Sequence, residues 1–207
     1  KYPDNYKDIT FIFNDIDCLP IKKNTVDFDT SINVIKHIYG FTYTLGGIFS
    51  IKGVDYENCN GFPNNWGWGL EDNIFNTKVL KNKLKIDRRN LHPINSKDIM
   101  HFAGTKYRKV NNKDIANYIN NKLYDNLNSI TNLNYDIIKN HEDTNIKLNN
   151  QYIINIYNFN TLYDYNDDDF FYKDISQSTN LEYKSSQSNK YNINNRWNMN
   201  MNMYKNK

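Results

Sequence analysis

The stretch Asn60–Asn73, NGFPNNWGWGLEDN, sets Gly61, Gly67, Gly69 and Pro63 around Trp66 and Trp68, then closes on Glu71 and Asp72. Glycines permit backbone angles that other residues avoid. A tryptophan between two of them can swing as a unit, as a lid does over a substrate. Its flat apolar face also suits a sugar ring. Downstream, EDNIFNTKVLKNKL places Ile74, Phe75, Val79, Leu80 and Leu84 near helical spacing, which predicts a helix over 71–84. Acids at its start and lysines at its end complement the helix dipole. Glu71 and Asp72 then sit beside free backbone N–H groups. One carboxylate there can bind a hydroxyl and the other can take its proton. The plainer reading is a structural turn with both tryptophans in the core.

Upstream, DITFIF (Asp8–Phe13) reads as a short buried strand that ends in NDIDCLP. Asp15 and Asp17 are two apart, so on a strand they share one face. Sheet edges are where α/β folds bind ligands. Hard carboxylate oxygens there suit Mn²⁺ or Mg²⁺ on a diphosphate. Taken alone, D-x-D is more often a solvated acidic turn. The strand ahead of it and Pro20 behind it, which fixes the chain's exit, favour the ligand reading. A second apolar patch, YGFTYTLGGIFSI, carries strand-forming residues around Gly46 and Gly47.

The 207 residues suffice for one domain with a sizeable core, and the formal net charge of +3 gives no nucleic-acid footprint. No run of 18 apolar residues is present, so no membrane span is predicted. Cys18 and Cys59 allow one disulfide but no disulfide framework. The heavy use of Asn, Lys, Ile and Tyr fits an AT-rich genome. NKDIANYINNKLYDNL predicts a helix capped by Asn112, with Ile115, Tyr118, Ile119 and Leu123 on one face. YDIIK and QYIINIY read as late strands. From about Asn158 the pattern fails, through the acidic DYNDDD and a polar low-complexity tail. The expected division is therefore a mixed α/β domain over 1–157 and a tail over 158–207.

FIFNDIDCLP, GGIFSI and NGFPNNWGWGLEDN together resemble the C-terminal half of the β-1,4-galactosyltransferase family. The likeness runs from about Phe11 to about Ile138, with LNSI (Leu127–Ile130) as a late landmark. It implies a GT-A-like fold and inverting, metal-dependent transfer of galactose, GalNAc or glucose from a UDP-sugar to a sugar hydroxyl of a glycan or glycoconjugate. It also implies roles for particular residues. Asp17 and His101 would bind the metal, Mn²⁺ or alternatively Mg²⁺. His101 lies at the family's spacing from RRN (Arg88–Asn90). Asp15, Gly46, Gly47 and Trp68 would serve the donor, Glu71 the acceptor, and Asp72 would be the base. His37, His92 and His141 are read as structural.

Departures from the family are informative. Asn65 runs into Trp66 where a further aromatic is usual, Leu70 replaces a glycine, and Asn73 replaces an acid. The family's other metal ligand aligns with Asp98 or Ile99. Asp98 is the preferred candidate, ahead of the adjacent Met100. The tyrosine near the sugar's 2-position aligns with Thr44 or Tyr43, and a donor-side lysine with Ile38, close to Lys36. The chain starts just before D-x-D, so a partner or preceding half carrying the uridine pocket is expected. The rival functions are a non-catalytic glycan-binding or scaffold domain and a polypeptide GalNAc-transferase-like enzyme. GFPNN and D-x-D speak against the latter. The family implies a Golgi lumen. The residue usage and the lack of N-x-Ser/Thr sequons instead suit a giant-virus or protist product, in host cytoplasm or virion.

Overall fold

The computed structural model describes residues 6–102, 106–122, 125–139 and 152–174. The central sheet joins β1 (Thr10–Asn14), β3 (Val34–Tyr39), β4 (Ile48–Lys52) and β5 (Lys85–Asp87), in the spatial order β1-β4-β3-β5. β4 runs antiparallel to both of its neighbours, and β5 is parallel to β3. The sheet is therefore mixed rather than the parallel sheet usual for an α/β reading. β4 is central and Ile48–Ile51 are buried throughout, which explains its unbroken apolar run. β1 is an edge strand. It was expected to be buried, but it alternates, and Ile12 is exposed.

One face of the sheet packs on α2 (Glu71–Lys81) through Ile35, Phe49, Ile51, Phe75 and Val79. Phe62, from the GFPNN segment, stacks on Phe75 with ring centroids 4.5 Å apart and meets Phe13 edge-on at 5.3 Å. Rings of this size stabilise by roughly 1.5–3 kcal/mol each when buried. They hold the first half of the Gly/Trp stretch against the core. α2 stops at Lys81, before the predicted end at 84, because Lys83 takes a positive φ and Leu84 turns back into the core.

A second layer is made by β7 (Tyr107–Asn111), α3 (Asn112–Ile119) and β10 (Phe170–Asp174), with β10 antiparallel to β7. Val110, Ile115, Leu70 and Ile74 form its core. α3 is capped by Asn111, one residue before the predicted cap, whose side chain accepts from the N–H groups of Lys113 and Asp114. A two-stranded pair, β2 (Cys18–Pro20) with β6 (Ile99–His101), packs on Ile38, Tyr39 and Ile48. β8 (Thr131–Lys139) and β9 (Tyr152–Asn160) pair antiparallel, as the late strand patterns suggested.

Ordered structure continues past residue 157. β9 reaches Asn160, the acidic run Asp167–Asp169 forms a turn capped by Asn166, and β10 closes on β7. Residues 175–207, the rest of the expected tail, and His141 lie outside the described residues. Cys18 and Cys59 are buried free thiols in separate clusters, so the disulfide is not formed. Among the described residues no helix is long and apolar enough to cross a membrane.

Candidate active site

A cavity of about 410 Å³ opens where the end of β1, the Gly46–Gly47 turn and the start of α2 meet. Asp15, Glu71 and Asp72 line it together with Gly46, Gly47, Asn65 and Gly67, over a floor of Phe13, Phe49 and Phe62. The polar groups thus converge on an aromatic base, the usual make-up of a small-molecule site.

β1 ends at Asn14, so D-x-D lies on a turn and not on a strand. The two aspartates accordingly diverge. The Asp15 N–H donates to the Gly47 carbonyl at 2.9 Å, and the Gly47 N–H donates to the Asp15 carboxylate at 3.1 Å. This reciprocal clasp ties the first aspartate to the glycine pair. Asp17 turns instead toward His101, with Oδ2 3.3 Å from Nε2. The two carboxylates thus take different partners, with Asp15 still feeling the charges of Asp17 and His101.

Contact constrains both glycines, Gly46 through a side chain and Gly47 through backbone. A Cβ on Gly46 would lie 2.0 Å from the Asp72 carboxylate, and one on Gly47 would lie 2.4 Å from the Tyr39 carbonyl. Gly47 also has φ +74°, the left-handed region where side chains are strained. Behind the pair sits buried His37. Arg88 Nε donates to its Nδ1 at 3.0 Å, which leaves Nε2–H to donate to the Tyr39 and Gly46 carbonyls. Burial, and then the Arg88 charge, hold its pKa down to about 4, so the ring is neutral. His37 is structural, as predicted, and its partners fix the backbone under Asp72.

Glu71 and Asp72 open α2. The residue before them, Leu70, has φ 75° and ψ −20°. That conformation costs a non-glycine residue about 1–2 kcal/mol. Burial of the Leu70 side chain against Ile74, Val110 and Ile115 offsets it, being worth roughly 1.5–3 kcal/mol. This is why leucine is tolerated where the family has glycine. The Asp72 pKa is pushed up to about 8, first by burial and then by the charges of Glu71 and Asp15. Burial also raises Glu71, against backbone N–H groups that favour its ionised form. Glu71 Oε2 is buried with no hydrogen-bond partner. An acceptor oxygen left in that state is costly, and a hydroxyl entering the cavity can relieve the cost.

The Asp17–His101 pair is joined by Cys18. Their ligand atoms all lie within 4.8 Å of one another. A carboxylate oxygen and an imidazole nitrogen at this separation fit a divalent cation. Asp98 does not join them. It sits on the turn ahead of β6 and is not among the grouped ligand atoms. Its carboxylate lies 3.3 Å from His92 Nδ1.

The second half of the Gly/Trp stretch is held from the other layer. The N–H groups of Trp66 and Gly67 donate to the buried Asp114 carboxylate at 3.1 and 3.0 Å, and Tyr165 donates to its other oxygen at 2.7 Å. The Trp68 N–H donates to the Lys109 carbonyl at 2.8 Å, and its ring faces the Arg108 guanidinium. Trp66 stacks on Phe159. Trp68 is exposed and is not among the residues that line the cavity. Thr44 and Tyr43 do not line it either. Ile38 is in the core and Lys36 is paired with Asp27. Asp114, Cys18 and Arg88 escaped the sequence reading. Only Cys18, adjacent to Asp17, carried a visible cue.

A family model described as the N-terminal domain of galactosyltransferase matches residues 27–104. That description names the opposite end from the half the motifs resemble, and the two agree on the family. A xylosylprotein 4-β-galactosyltransferase of Caenorhabditis elegans is 32% identical over 108 residues, covering 47% of this chain and 37% of the relative. The β-1,4-galactosyltransferase 7 of Drosophila melanogaster is 27% identical over 144 residues, covering 62% and 44%. The chain thus spans under half the length of these relatives. A crystal structure of the Drosophila enzyme, a mutant in complex with manganese, UDP-Gal and xylobiose, superposes with a TM-score of 0.48 at 20% identity, covering 75% of this chain and 68% of that one.

Proposed function

We propose that the chain, which matches a galactosyltransferase family model over residues 27–104, serves inverting transfer of a sugar from a UDP-sugar to a sugar hydroxyl. Galactose is the first candidate sugar, with GalNAc and glucose as alternatives. The observation that carries the reading is the convergence of Asp15, Glu71 and Asp72 on one cavity, with a buried Glu71 oxygen awaiting a donor.

In this reading the acceptor hydroxyl donates to Glu71, which orients it. Asp72 takes its proton as the oxygen attacks the anomeric carbon. A base with a pKa near the working pH is well matched to that task. Asp15 and the Gly46–Gly47 turn shape the donor side of the cavity. Asp17 and His101 would hold a divalent cation, Mn²⁺ or Mg²⁺, which would supply positive charge against the diphosphate. Trp68 covers the donor only after leaving its seat on Lys109 and Arg108, so closure requires the loop to move. The uridine end of the donor is assigned to a nucleotide-binding half outside these 207 residues.

The test is Asp72→Asn. Sugar transfer is expected to fall by about 10²–10⁴-fold, the usual contribution of a general base, with UDP-sugar binding retained. Undiminished transfer would overturn the assignment. UDP-sugar binding without transfer by the unmodified protein would favour the non-catalytic glycan-binding reading.

A further inference from the structure

Cys18 lies beside the Asp17–His101 pair, and nothing in the proposed chemistry uses it. β2 and β6 pair antiparallel with Cys18 directly opposite His101. Opposed residues in such a pair project to the same face, with Cβ atoms about 4.5–5.5 Å apart. Asp17 enters from the adjoining turn. Its Oδ2 is 3.3 Å from His101 Nε2, and its Oδ1 is 3.4 Å from Cys18 Sγ. With metal–nitrogen and metal–oxygen bonds of about 2.0–2.2 Å and a metal–sulfur bond of about 2.3 Å, neighbouring ligand atoms of a tetrahedral site stand about 3.3–3.7 Å apart. Taking one atom from each residue, all three lie within 4.8 Å of one another, so a modest inward movement closes them on one ion. The Cys18 side chain is buried against Ile38, Tyr39, Ile48 and Ile99. Asp17 and His101 remain partly open, with side chains 35% and 45% exposed. A fourth position therefore faces solvent.

We propose that Cys18 is the third protein ligand of the cation site, so that Asp17, Cys18 and His101 bind one divalent ion with the fourth position left for an exogenous oxygen. This rests on the cation site of the proposed function and deepens it by naming the ion class. Sulfur is a soft donor, while Mg²⁺ and Mn²⁺ favour oxygen. A thiolate beside the imidazole adds affinity for Zn²⁺ or Co²⁺ to the Mn²⁺ binding that Asp17 and His101 already supply. As the Sγ–metal bond forms, the thiol proton leaves to solvent, since a coordinating thiol is deprotonated. Asp98, with its carboxylate on His92, is not needed to complete the set.

The test is Co²⁺ titration of the full chain, followed by ultraviolet and visible absorption. The expected result is a sulfur-to-cobalt charge-transfer band together with the intense visible bands of a tetrahedral ion. Cys18→Ser and Cys18→Ala should both lose the charge-transfer band, and Cys59→Ser should keep it, with circular dichroism confirming that each variant folds. Competition measurements should show Zn²⁺ affinity falling by at least about tenfold in Cys18→Ser while Mn²⁺ affinity changes by less than about twofold. Cobalt bound without a thiolate band would overturn the role of Cys18 and leave the Asp17–His101 site standing. A wild-type protein that binds no divalent ion would overturn both.

Discussion

The acid pair at the start of α2 and the Asp17–His101 pair beside β2 and β6 use carboxylates in opposite surroundings. Glu71 and Asp72 are largely enclosed and face a third acid, Asp15. Burial raises both carboxyls, and the charges of Glu71 and Asp15 help to push Asp72 up to about 8. Asp17 is more open and has a histidine beside it. The contrast separates two roles that D-x-D and E-D could share on paper. An enclosed, proton-retaining carboxylate suits proton transfer, and an open one beside imidazole suits a cation. The enclosure also costs stability. Between pH 3.8 and about 8 the unfolded chain releases a proton that folded Asp72 keeps, so the fold weakens as pH rises through that window.

The comparison can be broken at either end. The largest effect is expected from Gly46→Ala. Its Cβ would meet the Asp72 carboxylate at 2.0 Å, and displacing a reacting group by about 1 Å can cost on the order of 10²-fold in rate. Urea denaturation of the same variant should show a loss of about 1–3 kcal/mol, the usual cost of overpacking. Wild-type kcat and stability in Gly46→Ala would mean that the cavity is not set by this contact. At the other end, His101→Ala should weaken divalent cation binding by at least the roughly tenfold typical even of outer-shell changes at metal sites. Asp98→Ala, which removes a carboxylate held on His92 and outside the ligand group, should change it by less than about twofold. Calorimetric titration of both variants checks the pair, and a larger effect at Asp98 would show that the turn before β6 supplies the ligand instead.

Much of this was legible in the chain. The helix at Glu71, the glycine pair and the late strands follow from local pattern. Periodicity also identified Ile74, Phe75 and Val79 as core residues, and they are buried. What was not legible depends on distant partners. Trp68 reads as a lid because glycines flank it, but its place is set by Lys109 and Arg108, some 40 residues on. Asp114 looks like an ordinary helix-start acid until the loop brings the N–H groups of Trp66 and Gly67 to it. Asp98 was chosen by alignment, and only the fold brings its carboxylate to His92. Residues 158–174 lack an apolar pattern, and they order because β7 offers them an edge and Trp66 offers Phe159 a ring.

The most direct test of the central claim is the pH dependence of kcat/KM for sugar transfer, which reports the ionisation of the free enzyme's base. With Asp72 as the proposed base, the rate should rise with pH through a midpoint at about 8. Glu71→Gln, which removes the nearest like charge, should move that midpoint to lower pH whatever it does to the rate. A midpoint near the ordinary carboxylate range, unmoved by Glu71→Gln, would contradict the assignment of Asp72 as the enclosed base.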